Sequence, residues 1–282
     1  MPDDRSAVEI RRGNAVPAVF CVHSSTGGVA EFVELSTQLA DGQRFYGLQS
    51  RGLLAGDAPL RTVEQLAASY LEEVLRLQPR GPYVFAAWSM GGYVAVEMAR
   101  QVAARGLEVG GVYLIAPPYD ERRSWRSRRA ETRRAHKHLK DLGARIAAAE
   151  KVAQGGGREL LPEWDLNDDP LRDQPPTGGP GEILRWRAER VNLVNRWASL
   201  QHRARGVRPY DGRVVMFVPA DDPEDVKQRT LAQWRAAFRD EPEVVAVPGT
   251  HHTVLRAAGA RAIGARLRTE LAGPDWLDEA VS

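Results

Sequence analysis

Short, wholly apolar runs alternate with longer stretches of helical period along most of this chain, and that alternation restricts the fold more than any other feature. Residues 18–22, 45–48, 83–88, 112–115, 213–218 and 244–247 read as strands. Several of them hold no charged residue, as strands buried on both faces require. Helix-like stretches lie between them at about 30–40, 62–77, 90–104, 226–238 and 253–271. Thr62, with Gln65 three residues on, has the pattern of a helix N-cap. The alternation predicts an α/β fold with a mostly parallel central sheet. It fails once. From 117 to 208 no strand is expected: 121–151 is basic and helical, 154–181 is rich in Gly and Pro, and 182–201 is helical again. An interruption that long inside a compact domain predicts a helical lid insertion, about 118–208, in a single domain over 1–282.

A hydrophobic share of 43% supports a buried core and excludes wholesale disorder. Cys21 is the single cysteine, so neither a disulfide framework nor a cysteine-ligated metal site is expected. No apolar run reaches about 18 residues, and the charged first residues lack the apolar core of a secretion signal. The expectation is a soluble cytoplasmic protein that binds no membrane and no metal.

Chemistry enters at Ala87-Trp88-Ser89-Met90-Gly91-Gly92, where a predicted buried strand meets a predicted helix. A sharp strand-to-helix turn lifts a serine hydroxyl clear of the sheet edge, and its neighbours must be small because strand and helix pass closely. Gly91 meets that need after the serine, and Ala87 stands where glycine is usual before it. Serine also needs a base to take its proton. Pro248-Gly249-Thr250-His251-His252 follows a strand and precedes the last helix, on the sheet edge where open α/β sheets bind ligands. His251 is the candidate base, with His252 as its competitor.

These segments resemble the product-releasing (type I) thioesterase domains of nonribosomal peptide and polyketide synthases, within the α/β-hydrolase superfamily. His23-Ser24-Ser25-Thr26-Gly27-Gly28 resembles the glycine-rich loop after the family's first core strand. Residues Tyr46 to Leu53, Glu64 to Tyr70 and Gln78 to Tyr83 are similar to the stretches that precede its elbow, and Val247 to His251 to its histidine loop, which favours His251. The resemblance is good over 15–117 and 207–257 and poor in the insertion. Editing thioesterases usually carry a His before the nucleophile, where this chain has Trp88.

The resemblance implies an acyl thioester delivered on the phosphopantetheine of an acyl or peptidyl carrier protein. It further implies an acyl-enzyme on Ser89, no cofactor of the enzyme's own, and an oxyanion held by the N–H groups of Met90 and Ser25. Release would be by hydrolysis or cyclisation, in antibiotic-type biosynthesis. An acyltransferase or condensing enzyme, or a catalytically silent carrier-binding module, are the alternatives. The departure is the acid. The family position, after the strand that follows the elbow helix, holds Ala116 in Leu114-Ile115-Ala116-Pro117. Asp222 is the expected replacement, ahead of Asp221 and then Asp120, although an N-cap role is the alternative for one of the pair.

Charge is uneven. Residues 122–145 hold ten Lys/Arg and two Asp/Glu, a balance of +8 in a chain of net +2, so the remainder stands near −6. A solvated helix face and a docking surface for an acidic carrier protein both account for it. Nothing in the spacing of aromatics supports nucleic acid. Trp164, Trp186 and Trp197 either line a substrate channel or pack the insertion onto the core.

Overall fold

The computed structural model describes residues 6–53, 58–118 and 180–272. Seven strands form one sheet: β1 Ala7–Arg11, β2 Ala15–Val22, β3 Gln43–Leu48, β4 Tyr83–Trp88, β5 Val109–Ile115, β6 Val214–Pro219 and β7 Glu243–Val247. Their order is β1-β3-β2-β4-β5-β6-β7, with β1 antiparallel to β3 and every other neighbour pair parallel. The helices are α1 Val33–Thr37, preceded by a 3-10 turn, α2 Val63–Leu77, α3 Gly91–Ala103, α4 Pro180–Arg205, α5 Glu224–Arg235 and α6 Ala257–Leu271.

Alternate residues of each central strand feed two cores. Ala18, Phe20 and Val22 face the layer holding α2 and α3, while Val19 and Cys21 face the layer holding α1 and α6. Both faces of the parallel strands are therefore covered, which is why the predicted strands read as continuous apolar runs. Thr62 caps α2 through its side chain, which accepts from the Gln65 N–H at 3.1 Å, while Gln65 Oε1 accepts from the Arg61 N–H at 3.1 Å.

β1 is the strand that the apolar-run criterion passes over. Ala7-Val8-Glu9-Ile10-Arg11 carries two charged residues and buries none of its five fully, because β1 lies at the sheet edge. Glu73 of α2 accepts from the N–H groups of Ser6 and Ala7 at 2.6 and 2.8 Å and fixes where the strand begins. The predicted helix over 30–40 is shorter, a 3-10 turn followed by the five residues of α1. The last helix starts at Ala257 rather than 253, since 251–255 form turns.

Among the described residues no strand lies between β5 and β6, and α4 runs from 180 to 205 where a helix over 182–201 is predicted. The basic stretch 122–145, Asp120 and Trp164 lie outside the described residues, as does the side chain of Trp197. Trp234 of α5 anchors the near edge of the insertion: its indole N–H donates to the Pro118 carbonyl at 2.7 Å and its ring stacks on Tyr93 of α3. No described helix is long and apolar enough to cross a membrane. Removing the α2 cap with Thr62→Ala should cost about 1 kcal/mol, seen as a fall of a few degrees in Tm with thioester turnover unchanged.

Candidate active site

The sheet order changes direction around β2. The chain passes from β2 to β3 on one side and then returns to β4 on the other, so the loops after β2 and β4 meet at the carboxyl edge of the sheet. Ser89 sits at the second of these, with φ 55°, a left-handed backbone that a non-glycine residue adopts at a cost. Its N–H donates to the Ile115 carbonyl at 3.0 Å and its carbonyl accepts from Gly92 at 3.0 Å, so the strained turn is tied to β5 and to α3. A Cβ at Gly91 would collide with the carbonyl oxygens of Val22 and His23. Elbow and glycine-rich loop are therefore in direct contact. The Met90 N–H belongs to the first turn of α3, where no carbonyl within the helix can take it.

The histidine loop closes over the opposite side. Ser89, His251, His252 and Asp222 share one cavity of about 750 Å³. Trp88 packs on His251, with ring centroids 6.0 Å apart, and its indole N–H donates to the His251 carbonyl at 3.2 Å. Asp222 Oδ1 accepts from the backbone N–H of His251 at 3.0 Å, and Asp221 Oδ2 accepts from the N–H of Gly249 at 3.0 Å. The two carboxylates thus hold the histidine loop by its main chain. Neither caps α5, whose N-cap is Pro223 with no side-chain hydrogen bond, so the N-cap alternative does not hold. Asp222 touches the backbone of His251 and acts on its ring through space.

Burial lowers the His251 pKa, and the neighbouring His252 lowers it further, while the Asp222 charge pulls the other way. The imidazole is neutral near pH 7, as a base must be. His252 is exposed and meets His251 edge-on, with centroids 5.2 Å apart. Ala116 also lines the cavity, buried, with φ 42°. The position where the resembling family keeps its acid is thus inside the cavity, in a conformation Asp and Asn tolerate better than Ala, but its side chain is a methyl.

Sequence reasoning missed the support of the glycine-rich loop. His23 is fully buried; its Nδ1 lies 2.5 Å from the Ser24 carbonyl and its Nε2 2.6 Å from the Tyr70 hydroxyl. A carbonyl can only accept, so Nδ1 carries the proton and the Tyr70 hydroxyl donates to Nε2. Burial pushes the His23 pKa down to about 4, which keeps the ring neutral. Ser50 bonds the Tyr70 hydroxyl in turn. From α4, the fully buried Asn195 donates through Nδ2 to the Ser25 carbonyl at 3.2 Å and, more weakly, to Ser50 Oγ at 3.5 Å. Gly27, at φ 79°, leaves the space into which Val191 of α4 packs. The inserted helix therefore rests on the very loop expected to carry the oxyanion donor Ser25. A lone Asn in a helical stretch gives no sequence signal for that. Trp186 is buried against α4's own Arg190, which lies 5.4 Å over its ring, and is not part of the wall around Ser89.

The fold and the elbow define a protein of the α/β-hydrolase type. The family profile described as Thioesterase domain matches residues 17–269, and the chain belongs to that family. It is 29% identical over 229 residues to polyketide synthase PksR of Bacillus subtilis, covering 78% of this chain and 8% of PksR. Nonribosomal peptide synthetase atrA of Aspergillus terreus is 28% identical over 260 residues, covering 86% of this chain and 27% of that protein. The chain thus spans about a quarter or less of these relatives. A solved NocB thioesterase domain, in covalent complex with a fluorophosphonate nocardicin G analog, superposes with a TM-score of 0.59. That likeness covers 95% of this chain and 100% of the NocB chain at 22% identity.

A base at His251 must be neutral, so with His251 in that role kcat/KM should fall on the acid side as the ring protonates. His252→Gln removes a like charge and should move this limb to higher pH; Asp222→Asn removes a stabilising charge and should move it lower, with a reduced plateau. Stopped-flow pH profiles on a small acyl thioester decide both signs. Asn195→Leu, close in size but without the N–H, should lower kcat on the same thioester about tenfold or more with KM little changed.

Proposed function

We propose that this thioesterase domain releases an acyl, peptidyl or polyketide chain from a phosphopantetheinyl carrier protein through an acyl-enzyme on Ser89. The observation that carries the reading is the strained elbow serine sharing one cavity with a neutral, half-buried His251 whose loop is held by Asp222. In the first step the Ser89 hydroxyl gives its proton to the His251 imidazole as its oxygen attacks the thioester carbonyl. The tetrahedral oxyanion lies between the N–H groups of Met90 and Ser25. Its collapse breaks the C–S bond, and the imidazolium returns the proton to the departing pantetheine sulfur. A second nucleophile then gives its proton to His251 and attacks the ester; the C–O bond to Ser89 breaks, and the imidazolium returns that proton to the Ser89 oxygen. Water yields the acid; an internal amine or hydroxyl yields a ring.

The acid's role is assigned to Asp222. Its charge stabilises the imidazolium, and its bond to the His251 N–H sets the loop. Thioester, carrier arm and accepting nucleophile supply every atom of this scheme, so it calls for no cofactor of the enzyme's own. The basic stretch 122–145 supports a carrier protein as partner, since such a field steers an acidic one. The multidomain synthases among the relatives support the same partner.

Intact-protein mass spectrometry after mixing with an acyl-pantetheine thioester tests the reading, with released product weighed in the same sample. A mass increase of one acyl group on the wild type and none on Ser89→Ala is expected. Resolution to the free acid marks hydrolysis, and a product lighter by one water marks cyclisation. An undiminished adduct on Ser89→Ala would remove Ser89 from the role. Neither adduct nor turnover across varied acyl groups would favour the silent carrier-binding alternative.

A further inference from the structure

Among the described residues, the wall of the cavity around Ser89 holds one positive charge with no partner. Much of its wall is apolar, formed by Ala116, Pro117, Val218, Pro219 and Val226. Three side chains besides the histidines bring charge to it: Asp222, Lys227 and Arg196. Asp222 spends one oxygen on the His251 N–H. Lys227 is already answered, with Glu224 at 2.9 Å and the Ala220 carbonyl at 3.2 Å. Arg196, on α4, is exposed and makes no hydrogen bond or ion pair among the described residues. Other arginines of α4 differ: Arg190 lies over Trp186, and Arg205 stands 3.8 Å from Glu64. At position 116 the wall presents a methyl rather than a carboxylate that would compete for the guanidinium.

We propose that the acyl chain delivered to Ser89 carries a carboxylate, and that Arg196 binds it. The inference rests on the Ser89 acyl-enzyme reading and adds the substrate class. A guanidinium offers a planar fork that matches a carboxylate in two parallel hydrogen bonds. A neutral chain filling the same space would strip water from Arg196 and return nothing, which disfavours it. The phosphate of the pantetheine arm is the other anion near this site. Thioesters with and without that phosphate tell the two anions apart.

The test uses N-acetylcysteamine thioesters, which carry no phosphate. Linear α,ω-diacids from adipyl to sebacyl are compared with monoacids of the same chain length, and each sample is checked by mass for the Ser89 adduct. For at least one length the wild type should prefer the diacid at least tenfold in kcat/KM. Arg196→Gln should bring that ratio toward one through the KM of the diacid. Arg196→Glu should turn the preference toward chains ending in trimethylammonium. A ratio near one at every length, with adducts still forming, overturns the inference and leaves the acyl-enzyme reading standing. So does an Arg196 effect confined to phosphopantetheine over pantetheine thioesters, which would assign the arginine to the arm. No adduct with any chain overturns both.

Discussion

Everything at this site depends on one close approach. Gly91, the first residue of α3, lies against the carbonyl oxygens of Val22 and His23 at the end of β2. No side chain fits between them, so the turn after β4 and the loop after β2 are fixed to each other. The approach follows from topology: β2 and β4 are neighbours in the sheet but are separated in the chain by β3 and α2. Two loops from distant parts of the sequence are thereby brought to one edge, where the first N–H groups of α3 face the glycine-rich loop. The left-handed Ser89 is held there by its bonds to Ile115 and Gly92 rather than by any preference of serine.

Around that contact the protein spends buried polar groups. His23, Tyr70, Ser50 and Asn195 form a chain of donors and acceptors from α2 through the glycine-rich loop to the inserted helix α4. A neutral His23 suits it, because a buried imidazolium could not accept from the Tyr70 hydroxyl. Asn195 completes the chain imperfectly: its Oδ1 is buried with no partner among the described residues, which costs about 1–3 kcal/mol. Helix α4 is thus attached to the glycine-rich loop by polar contacts and by Val191 packing into the space over Gly27. Its position and the geometry of the Ser25 peptide are linked.

Two neighbouring segments at the carboxyl edge, Ala116 after β5 and Asp221-Asp222 after β6, are placed differently toward the histidine loop. Ala116 keeps a left-handed backbone at the end of β5 and keeps its place in the cavity wall, yet offers no carboxylate. Asp221 and Asp222, one strand further along, reach the histidine loop from below and tie it through Gly249 and His251 main-chain N–H groups. Trp88 holds the same loop from the elbow side through the His251 carbonyl. The histidine is therefore positioned chiefly by its backbone, and its ring feels Asp222 through the charge alone.

Much of this was legible in the sequence because it is local. Apolar runs marked the buried strands, Thr62 and Gln65 marked the start of α2, and Ala87 to Gly92 marked the elbow, since each depends on neighbours within a few residues. Strand β1 escaped because Glu9 and Arg11 break its apolar run, which its half-exposed place at the sheet edge permits. What only the tertiary structure decided are the pairings between residues far apart: Asn195 with Ser25, Tyr70 with His23, Trp88 with His251, and Asp222 with a main-chain N–H instead of a helix cap. A side chain's type states what bonds it can make. Which of them it makes is set by the loops that the sheet order brings to one edge, and that order is a property of the whole fold.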